Sequence, residues 1–424
     1  MAGMAATPPP PPHLTEPRLK PVTEATFRPW LQAISRGFQE EHRPEGEEVD
    51  RQVLELDRSF GFKVGRRWVA TFGALTRRIR VPGGADVANA AITVVTVHAP
   101  YRRRGLLTAM MRHQLDDCVA RGEPLATLWA SESLIYGRYG FGPAVTRHLL
   151  KGTNRRLQFL PGVRTSGSVD ELTREQFEPL ARRMHAKLRE ERPGTMVRNE
   201  GSGWEFALYD LPHARDGASE KRHVVHWSDD GEPDGFALYR FKADFDAEPD
   251  SEVRLQELWA EDPAAYASLW RYLLDLDLAR RFRYRCAAAD EPLRLLVTDA
   301  RAVETEVTDA LYVRVVDVPA ALRARAYAAP LDVVLEVDDP MLEANTGRWR
   351  LTSKGEASST TVERTDAEPD LSLGVLELGT AYLGGTSLAD LHRVGRVVEH
   401  TPGAVAEAAT ALSWTRAPWS PDFF

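Results

Sequence analysis

The chain has 424 residues, 43% of them hydrophobic and 27% charged, which is typical of a globular protein of about three domains. Its formal net charge of −8 disfavours generic binding of nucleic acids and suits a cationic small molecule instead. The two cysteines form no metal-binding pattern, and no run approaches the roughly 18 apolar residues of a membrane helix. We therefore predict a reduced, cytoplasmic protein that uses neither a metal nor a membrane.

Residues 1–17 differ in composition from the rest of the chain. They contain five consecutive prolines, Pro8–Pro12, and neither the charged nor the apolar region of a signal peptide. Polyproline II is the expected local state of such a run. We predict a disordered tail here, with a ligand for an SH3-type domain as the alternative.

Residues 18–160 alternate between helix and strand patterns, which is typical of an α/β domain. The β-branched run Ala91–Val97 predicts a buried central strand, and apolar spacing predicts a helix after it at Leu106–Ala120. The other predicted elements are a first helix (Thr23–Phe38), one bent strand or two short ones (Arg67–Leu75 and Arg77–Val81), a second buried strand (Leu125–Ala130) and a short helical turn with a glycine-rich exit (Ile135–Pro143).

Residues 161–303 repeat this order of elements. The patterns predict helices at Asp170–Glu190 and Asp262–Arg280, and strands at Val224–Trp227, Gly235–Phe241, Leu255–Ala260 and Leu293–Thr298. Glu261-Asp262-Pro263 stands where the first unit has an arginine–glycine loop. The sequence therefore predicts a duplicated fold whose second copy has lost its phosphate-binding loop.

Residues 304–424 have a different arrangement, with strand patterns before helix patterns, which indicates an α+β domain. The predicted strands are Leu311–Val316, Val333–Val337, Arg348–Leu351, Thr360–Arg364 and Leu371–Leu373, and the predicted helices are Val375–Tyr382, Ser387–Leu391 and Ala404–Leu412. The chain ends on Phe423 and Phe424, which we expect to be buried because exposed apolar side chains reduce solubility.

A buried strand leads directly into an arginine-rich turn at Val97–Leu107. The turn precedes a predicted helix, whose first amides lack intrahelical partners and carry partial positive charge. Gly105 permits close approach of the backbone to a phosphate, and Arg103 and Arg104 add charge-assisted contacts. The pattern favours a pyrophosphate site over a basic surface loop, but does not identify the ligand.

The run Val97–Leu107 resembles the coenzyme A loop of the GNAT superfamily, Arg/Gln-x-x-Gly-x-Gly/Ala, in which Arg102 and Gly105 match and Leu107 departs from the pattern. With the triple arginine and the later run Ile135–Ala144, it resembles the Eis (enhanced intracellular survival) aminoglycoside acetyltransferases. That resemblance implies a catalytic GNAT domain at 18–160, a degenerate GNAT domain at 161–303 and a sterol-carrier-like domain at 304–424. It also implies acetyl-CoA as co-substrate, acetylation of polycationic amines at several positions, and a homohexamer.

The resemblance places acetyl-CoA along the end of the central strand. It implies that the backbone of Val95, Thr96 and Val97 pairs with the pantetheine arm where the strands separate. It further implies that the pyrophosphate is surrounded by Arg103, Arg104, Gly105, Leu106, Leu107 and Thr108. Ser131 and Glu132, at the end of the next strand, would lie across the opening from the same arm.

Two groups are candidates for the proton transfers. The phenol of Tyr136, with an ordinary pKa near about 10, can donate to the departing sulfur, although a packing role is the alternative. The resemblance implies that the terminal carboxylate of Phe424 acts as the base or holds the cationic substrate, and an anchored tail is the alternative. An α-carboxyl has an ordinary pKa of about 3.5, which burial would raise.

Substrate selection requires negative charge and aromatic walls, for which the candidates are Glu40, Glu41, Trp30, Trp204 and Asp422. Two other functions remain open from the sequence. The protein could acetylate protein lysines, or it could be a non-catalytic lipid- or ligand-binding protein that uses its last domain. The intact loop at Arg102–Gly105 and the presence of Tyr136 favour an active enzyme.

Overall fold

A computed structural model of the chain describes residues 16–198, 202–244 and 250–424. Most of the predicted proline-rich tail, residues 1–15, lies outside the described residues. No helix within the described ranges is both long and apolar enough to cross a membrane. The described strands form three sheets, two of seven strands and one of five.

The elements predicted up to residue 160 occur in the predicted order. The elements of this region are β1 (Arg18–Pro21), α1 (Glu24–Gly37), α2 (Glu47–Val53), β2 (Ser59–Val64), β3 (Arg67–Arg80), β4 (Asp86–Val97), α3 (Leu106–Arg121), β5 (Leu125–Trp129), α4 (Ser133–Tyr136), β6 (Gly142–Pro143) and β7 (Thr146–Thr153), of which β1, α2, β2 and β7 are in addition to the predicted ones. The first helix, the central strand β4 and the helix after it are confirmed. The two strand patterns before Val81 form the single long strand β3.

The elements of the second unit are β8 (Ser168–Leu172), α5 (Arg174–Leu188), α6 (Ser202–Leu208), β9 (Arg222–Trp227), β10 (Pro233–Lys242), β11 (Glu252–Ala260), α7 (Pro263–Leu274), β12 (Arg281–Ala287) and α8 (Leu293–Leu296). The helix predicted from Asp170 begins only at Arg174, because Thr173 caps it and the preceding residues pair as β8. The helix predicted to Arg280 ends at Leu274.

The strand predicted at Leu293–Thr298 is wrong. That run forms one helical turn, α8, in which Leu293 is buried and Leu295 is 80% exposed. A short apolar run has no periodicity that separates strand from helix. The strand that pairs with β11 on this side of the sheet is β12.

The remaining elements are β13 (Glu304–Asp309), β14 (Leu311–Val315), α9 (Val318–Ala324), β15 (Leu331–Asp338), β16 (Gly347–Ser353), β17 (Thr361–Arg364), β18 (Leu371–Gly374), α10 (Val375–Ala381), α11 (Leu388–Arg393), β19 (Val397–Glu399) and α12 (Ala404–Leu412). The five strands and three helices predicted in this region are confirmed. β15–β19 form the small sheet, in the order β17-β16-β15-β18-β19.

The two large sheets exchange strands. The first has the order β1-β2-β3-β4-β5-β14-β6 and the second the order β13-β7-β12-β11-β10-β9-β8. β14 follows both units in the chain yet pairs antiparallel with β5, while β7 precedes the second unit yet pairs with β12. The domain limits at 160/161 and 303/304 stay a prediction about the chain, but the sheets interleave across both of them.

Helices cover both faces of the first sheet. Thr96 of β4 faces α1, since a Cβ on Gly37 would lie 2.4 Å from the Thr96 Cβ. Its neighbours Val95 and Val97 pack with the α3 cluster on the other face, as strand alternation requires. The fully buried ion pair of Arg314 with Asp339, at 2.6 Å, joins β14 to the last domain.

Candidate active site

The central strand β4 separates from β5 partway along its length. Their parallel pairing runs from Asn89–Leu125 to Ile92–Leu128 and stops there. Val94 has a φ of +51°, and the register of β4 against β3 shifts at this point, which is a β-bulge. The Thr71 hydroxyl donates to the Val94 carbonyl at 2.8 Å and holds the bulge. The end of β4, residues 93–97, therefore diverges from β5 and leaves a wedge between the two strands.

The arginine-rich turn lies at the open end of this wedge. Gly105 and Arg103 have φ values of +75° and +59°, and α3 begins at Leu106. The first helical hydrogen bond runs from the Ala109 amide to the Gly105 carbonyl at 3.0 Å, and no side chain caps the helix start. The amides of residues 106–108 consequently have no hydrogen-bond partners within the helix, and free amides at a helix start are the groups that bind anions.

The side chains of the turn are solvent-exposed from Arg102 to Arg104. Arg102 donates to the Val97 carbonyl at 3.2 Å and ties the turn to the end of β4. Arg104 lies over the Tyr101 ring at 5.4 Å. Thr108, exposed on the first turn of α3, has its hydroxyl 3.2 Å from that of Tyr139. A pyrophosphate at the helix start would therefore meet cationic side chains as well as backbone amides.

The opposite side of the wedge is formed by β5 and the segment after it. Ser131 and Glu132 are exposed there, and α4 then carries Tyr136 into the core, where the residue is 5% exposed. Burial, with smaller contributions from Tyr139 and Glu132, raises the pKa of Tyr136 to about 12. Among the described residues the Tyr136 hydroxyl has no hydrogen-bond partner, and its oxygen is not fully enclosed by protein atoms. The phenol is thus protonated and its oxygen remains accessible.

The C-terminal segment reaches the same sheet. The Trp129 indole at the end of β5 donates to the Asp422 carbonyl at 2.9 Å, and Phe424 packs on Val53, Leu75 and Ala91. The prediction that both terminal phenylalanines are buried is wrong for Phe423, which is 58% exposed and contacts Trp129 at 5.3 Å between ring centroids. Phe424 is only partly buried. Neighbouring side chains of an extended segment point to opposite sides, so Phe424 faces the sheet while Phe423 faces outward.

Comparison with known proteins gives three family matches. Residues 18–144 match an acetyltransferase (GNAT) domain, residues 194–315 a second acetyltransferase (GNAT) domain, and residues 318–421 a sterol carrier protein domain. The chain is 34% identical over 335 residues to a protein of Mycobacterium tuberculosis named N-acetyltransferase Eis, covering 76% of this chain and 77% of that relative. It is 44% identical over 405 residues to an uncharacterized N-acetyltransferase of Streptomyces avermitilis, covering 93% and 96% of the two chains.

The crystal structure of Eis1 from Mycobacterium abscessus superposes with a TM-score of 0.82 and 30% identity, over 96% of this chain and 100% of that one. The chain belongs to the Eis family of GNAT acetyltransferases. It is therefore an N-acetyltransferase with acetyl-CoA as its co-substrate, built from two GNAT domains followed by a sterol-carrier-like domain.

The residues of the first unit fit acetyl-CoA as an Eis-family enzyme requires. Beyond Ile92 the edge of β4 that faces β5 can hydrogen-bond an extended arm, and the helix start at Leu106 with the exposed Arg103 can bind a pyrophosphate. Bound there, acetyl-CoA supplies the activated acetyl group of the reaction.

The second unit of this Eis-family chain keeps the wedge but not the anion site. β11 and β12 stop pairing after Leu255–Tyr284, and β11 is bulged against β10. At the start of α7, however, the Asp262 carboxylate accepts from the Ala264 and Ala265 amides at 2.8 and 2.9 Å, and Pro263 has no amide hydrogen. A fixed negative charge thus occupies the place of the phosphate, in agreement with the predicted degeneration.

Two of the residues predicted to contact substrate lie in hydrophobic cores instead. Trp30 is fully buried and donates to the Phe60 carbonyl, and Trp204, 2% exposed, packs edge-on against His185. These two predictions are wrong because both rings fill cores. Glu40 and Glu41 are exposed after α1. Asp422 is already paired with Arg198 at 2.7 Å.

Sequence reasoning missed three residues that hold the C-terminal segment: Trp129, Arg198 and Glu257. Arg198 donates to Glu257 at 2.8 Å as well as to Asp422, and both Arg198 and Glu257 are almost completely buried. No local motif marks them, because their partners are far apart in the chain. A charged residue inside a strand pattern, such as Glu257 within Leu255–Ala260, is the one signal that the sequence offers for this set.

Proposed function

We propose that this enzyme transfers acetyl groups from acetyl-CoA to amines of polycationic small molecules such as aminoglycosides, at more than one position. The observation that carries the proposal is that three features lie on the same sheet. They are the wedge between β4 and β5, the protonated phenol of Tyr136, and the C-terminal segment that contacts Trp129. The proton transfers of this reaction use a general acid and a general base, and a phenol and a carboxylate can serve as these two groups.

A preference for cations is proposed for the terminal carboxylate itself. The cavity that Phe424 lines also contains one carboxylate, Asp422, and two guanidinium groups, Arg77 and Arg198, of which Arg198 is already paired with Asp422. On α2, burial raises the pKa of Asp50 to about 6, against a smaller lowering by His42. A cationic amine that reached Asp50 would favour its ionised form.

We assign acetyl-CoA contacts as follows. The backbone of Val95, Thr96 and Val97 pairs with the pantetheine arm, and Ser131 and Glu132 face that arm from the other side of the wedge. The pyrophosphate is held by the turn and first helical turn, comprising Arg103, Arg104, Gly105, Leu106, Leu107 and Thr108. The free amides at 106–108 and the positive φ of Gly105 support this assignment.

In the proposed reaction the neutral amine attacks the thioester carbonyl, a C–N bond forms and the C–S bond breaks. The terminal carboxylate of Phe424 accepts the proton that the amine loses, and the phenol of Tyr136 donates a proton to the departing sulfur. The carboxylate also attracts the ammonium form of the substrate before deprotonation. None of the ion pairs among the described residues uses this carboxylate, which leaves it available for a substrate amine.

A homohexamer and a cytoplasmic location are further parts of the proposal. The hexamer follows from the family resemblance, and the location follows from the cysteine pattern of the sequence. Large apolar side chains on the surface of the single chain, such as Leu134 at 88% and Leu295 at 80% exposure, are consistent with contacts between copies. Light scattering of the untagged protein would measure the subunit number directly.

A thiol-release assay with a panel of amines tests the proposed function. Untagged protein is incubated with acetyl-CoA and, separately, with kanamycin-like aminoglycosides, linear polyamines and a lysine peptide, and mass spectrometry counts the acetyl groups. The proposal predicts release with the polycationic drugs and products that carry more than one acetyl group. Release with the lysine peptide alone would identify a protein acetyltransferase instead and contradict the proposed substrate class.

A further inference from the structure

The wedge of the second GNAT unit is occupied by the chain's own C-terminal segment. Beyond the last β11–β12 pair, the Trp419 indole donates to the Cys286 carbonyl of β12 at 2.6 Å. The Cys286 thiol in turn donates to the Ser420 carbonyl at 3.4 Å. On the β11 side, the Trp419 ring lies 4.7 Å from that of Trp259. The segment therefore contacts both strands where they have separated.

This contact is closely packed. Trp419 and Ser420 are 4% and 0% exposed, and Trp419 belongs to the core cluster of the second unit. The Trp419 amide donates to the Pro193 carbonyl at 2.8 Å. A Cβ on Gly194, which has a φ of +89°, would lie 2.9 Å from the Trp419 carbonyl oxygen. The C-terminal segment therefore packs in the wedge as closely as residues in a protein core.

A buried set of charges fixes the segment farther on. Arg198 donates to Asp422 at 2.7 Å and to Glu257 of β11 at 2.8 Å, and its side chain is 3% exposed. The second carboxylate oxygen of Asp422 accepts from the Met196 amide at 3.4 Å, and Glu257 also accepts from the Trp259 indole at 2.9 Å. Glu257 is 1% exposed, and Arg198 is its ion-pair partner inside the protein.

From this point the chain crosses to the first unit, where Asp422 meets Trp129 and Phe424 packs on Leu75. We propose that the wedge of the second GNAT unit is a binding site for residues 419–422, and that Arg198 and Glu257 are positioning residues that hold the C-terminus in the active site of the first unit. The second unit then uses the opening between its strands to bind peptide instead of coenzyme A. The effect on catalysis rests on the proposed role of the Phe424 carboxylate.

Full-length, untagged variants test the inference. Glu257→Gln and Asp422→Asn each remove one charge from the set. Asp422→Asn should perturb the fold less than Glu257→Gln, because the Asp422 side chain is 14% exposed. Glu123→Gln is the matched control, because Glu123 is also buried and also binds an arginine, Arg58, but does not touch the C-terminal segment. Hydrogen exchange of residues 419–424 reports docking, and steady-state kinetics report turnover.

The inference predicts at least about tenfold faster exchange of residues 419–424 in both charge variants, with kcat lowered at least about tenfold and KM for acetyl-CoA within about twofold. The control keeps wild-type exchange in this segment and wild-type kcat. Arg198→Lys, which keeps the charge, retains more turnover than Arg198→Met.

Unchanged exchange of the segment in both charge variants would overturn the docking site. Faster exchange with unchanged kcat would overturn the positioning role. Faster exchange and lower kcat in an enzyme that stays active without Phe424 would support docking while refuting the Phe424 carboxylate as base, so the two proposals fail in different ways.

Discussion

Replacing Tyr136 with phenylalanine removes one oxygen and leaves the ring, which packs edge-on against Phe141 at 6.2 Å between centroids. Since the hydroxyl has no partner among the described residues, its loss leaves no donor or acceptor unsatisfied. We therefore expect the free energy of unfolding to change by no more than about 0.5 kcal/mol.

Turnover should change far more. General acids contribute about 10²–10⁴-fold to a rate, or about 3–5 kcal/mol of transition-state stabilisation. Even a partial proton transfer to sulfur predicts at least about a tenfold loss of kcat in Tyr136→Phe. Because the phenol acts on the departing sulfur and not on the nucleotide, the dissociation constant for acetyl-CoA should stay within about twofold.

The assay combines kcat and KM from thiol release, acetyl-CoA binding by calorimetry and thermal unfolding. Tyr312→Phe is the control, since Tyr312 is a buried tyrosine of the same core cluster whose hydroxyl donates to Asp309. A kcat within twofold of wild type for Tyr136→Phe would refute the general acid. Loss of acetyl-CoA binding together with a large drop in Tm would show that the residue is structural.

Three further outcomes follow from the same geometry. Gly105→Ala introduces no steric clash but forces a φ of +75° on a residue with a Cβ, which strains the backbone. The Tm should therefore fall by about 2–4 °C for each kcal/mol of strain, and calorimetry should show weaker binding of acetyl-CoA. A general acid is active only while it is protonated, and burial raises the pKa of Tyr136 to about 12. Deprotonation of this phenol should therefore cause no loss of kcat between about pH 7 and pH 10. A fall in kcat at alkaline pH that disappears in Tyr136→Phe would contradict this. Burial also raises the pKa of the fully buried Cys118 to about 12, so a thiol reagent should label it only after unfolding, and rapid labelling of the native protein at that residue would contradict the structure.

The sequence predicted the parts of the fold and site that depend on local patterns. β4 was recognisable because a continuous β-branched run indicates a strand buried on both faces. The helix start at Leu106 was recognisable because Gly105 and the arginines precede an apolar helical pattern. The loss of the anion site in the second unit was predictable because Glu261-Asp262-Pro263 stands where the first unit has its arginine–glycine loop. The structure adds that Asp262 caps the helix that follows.

Features that depend on distant partners could not be predicted. β7 and β14 are ordinary short strands, and nothing in them specifies that β7 pairs in the second sheet and β14 in the first. Trp30 was assigned to a pocket because an aromatic side chain on a helix has no marker that distinguishes core from site. The ion pairs of Arg198 join segments 59 and 224 residues away, which no local pattern encodes.

The most direct test of the account concerns the end of the chain. The acetylation rate of a polycationic amine is measured for untagged protein, for protein lacking Phe424 and for protein extended by one glycine, with acetyl-CoA binding and Tm as controls. We predict that both changes suppress kcat at least about tenfold while acetyl-CoA binding and Tm are preserved, because the carboxylate is removed or displaced from the sheet of the first unit. Full turnover in the extended enzyme would contradict a site completed by the terminal carboxylate.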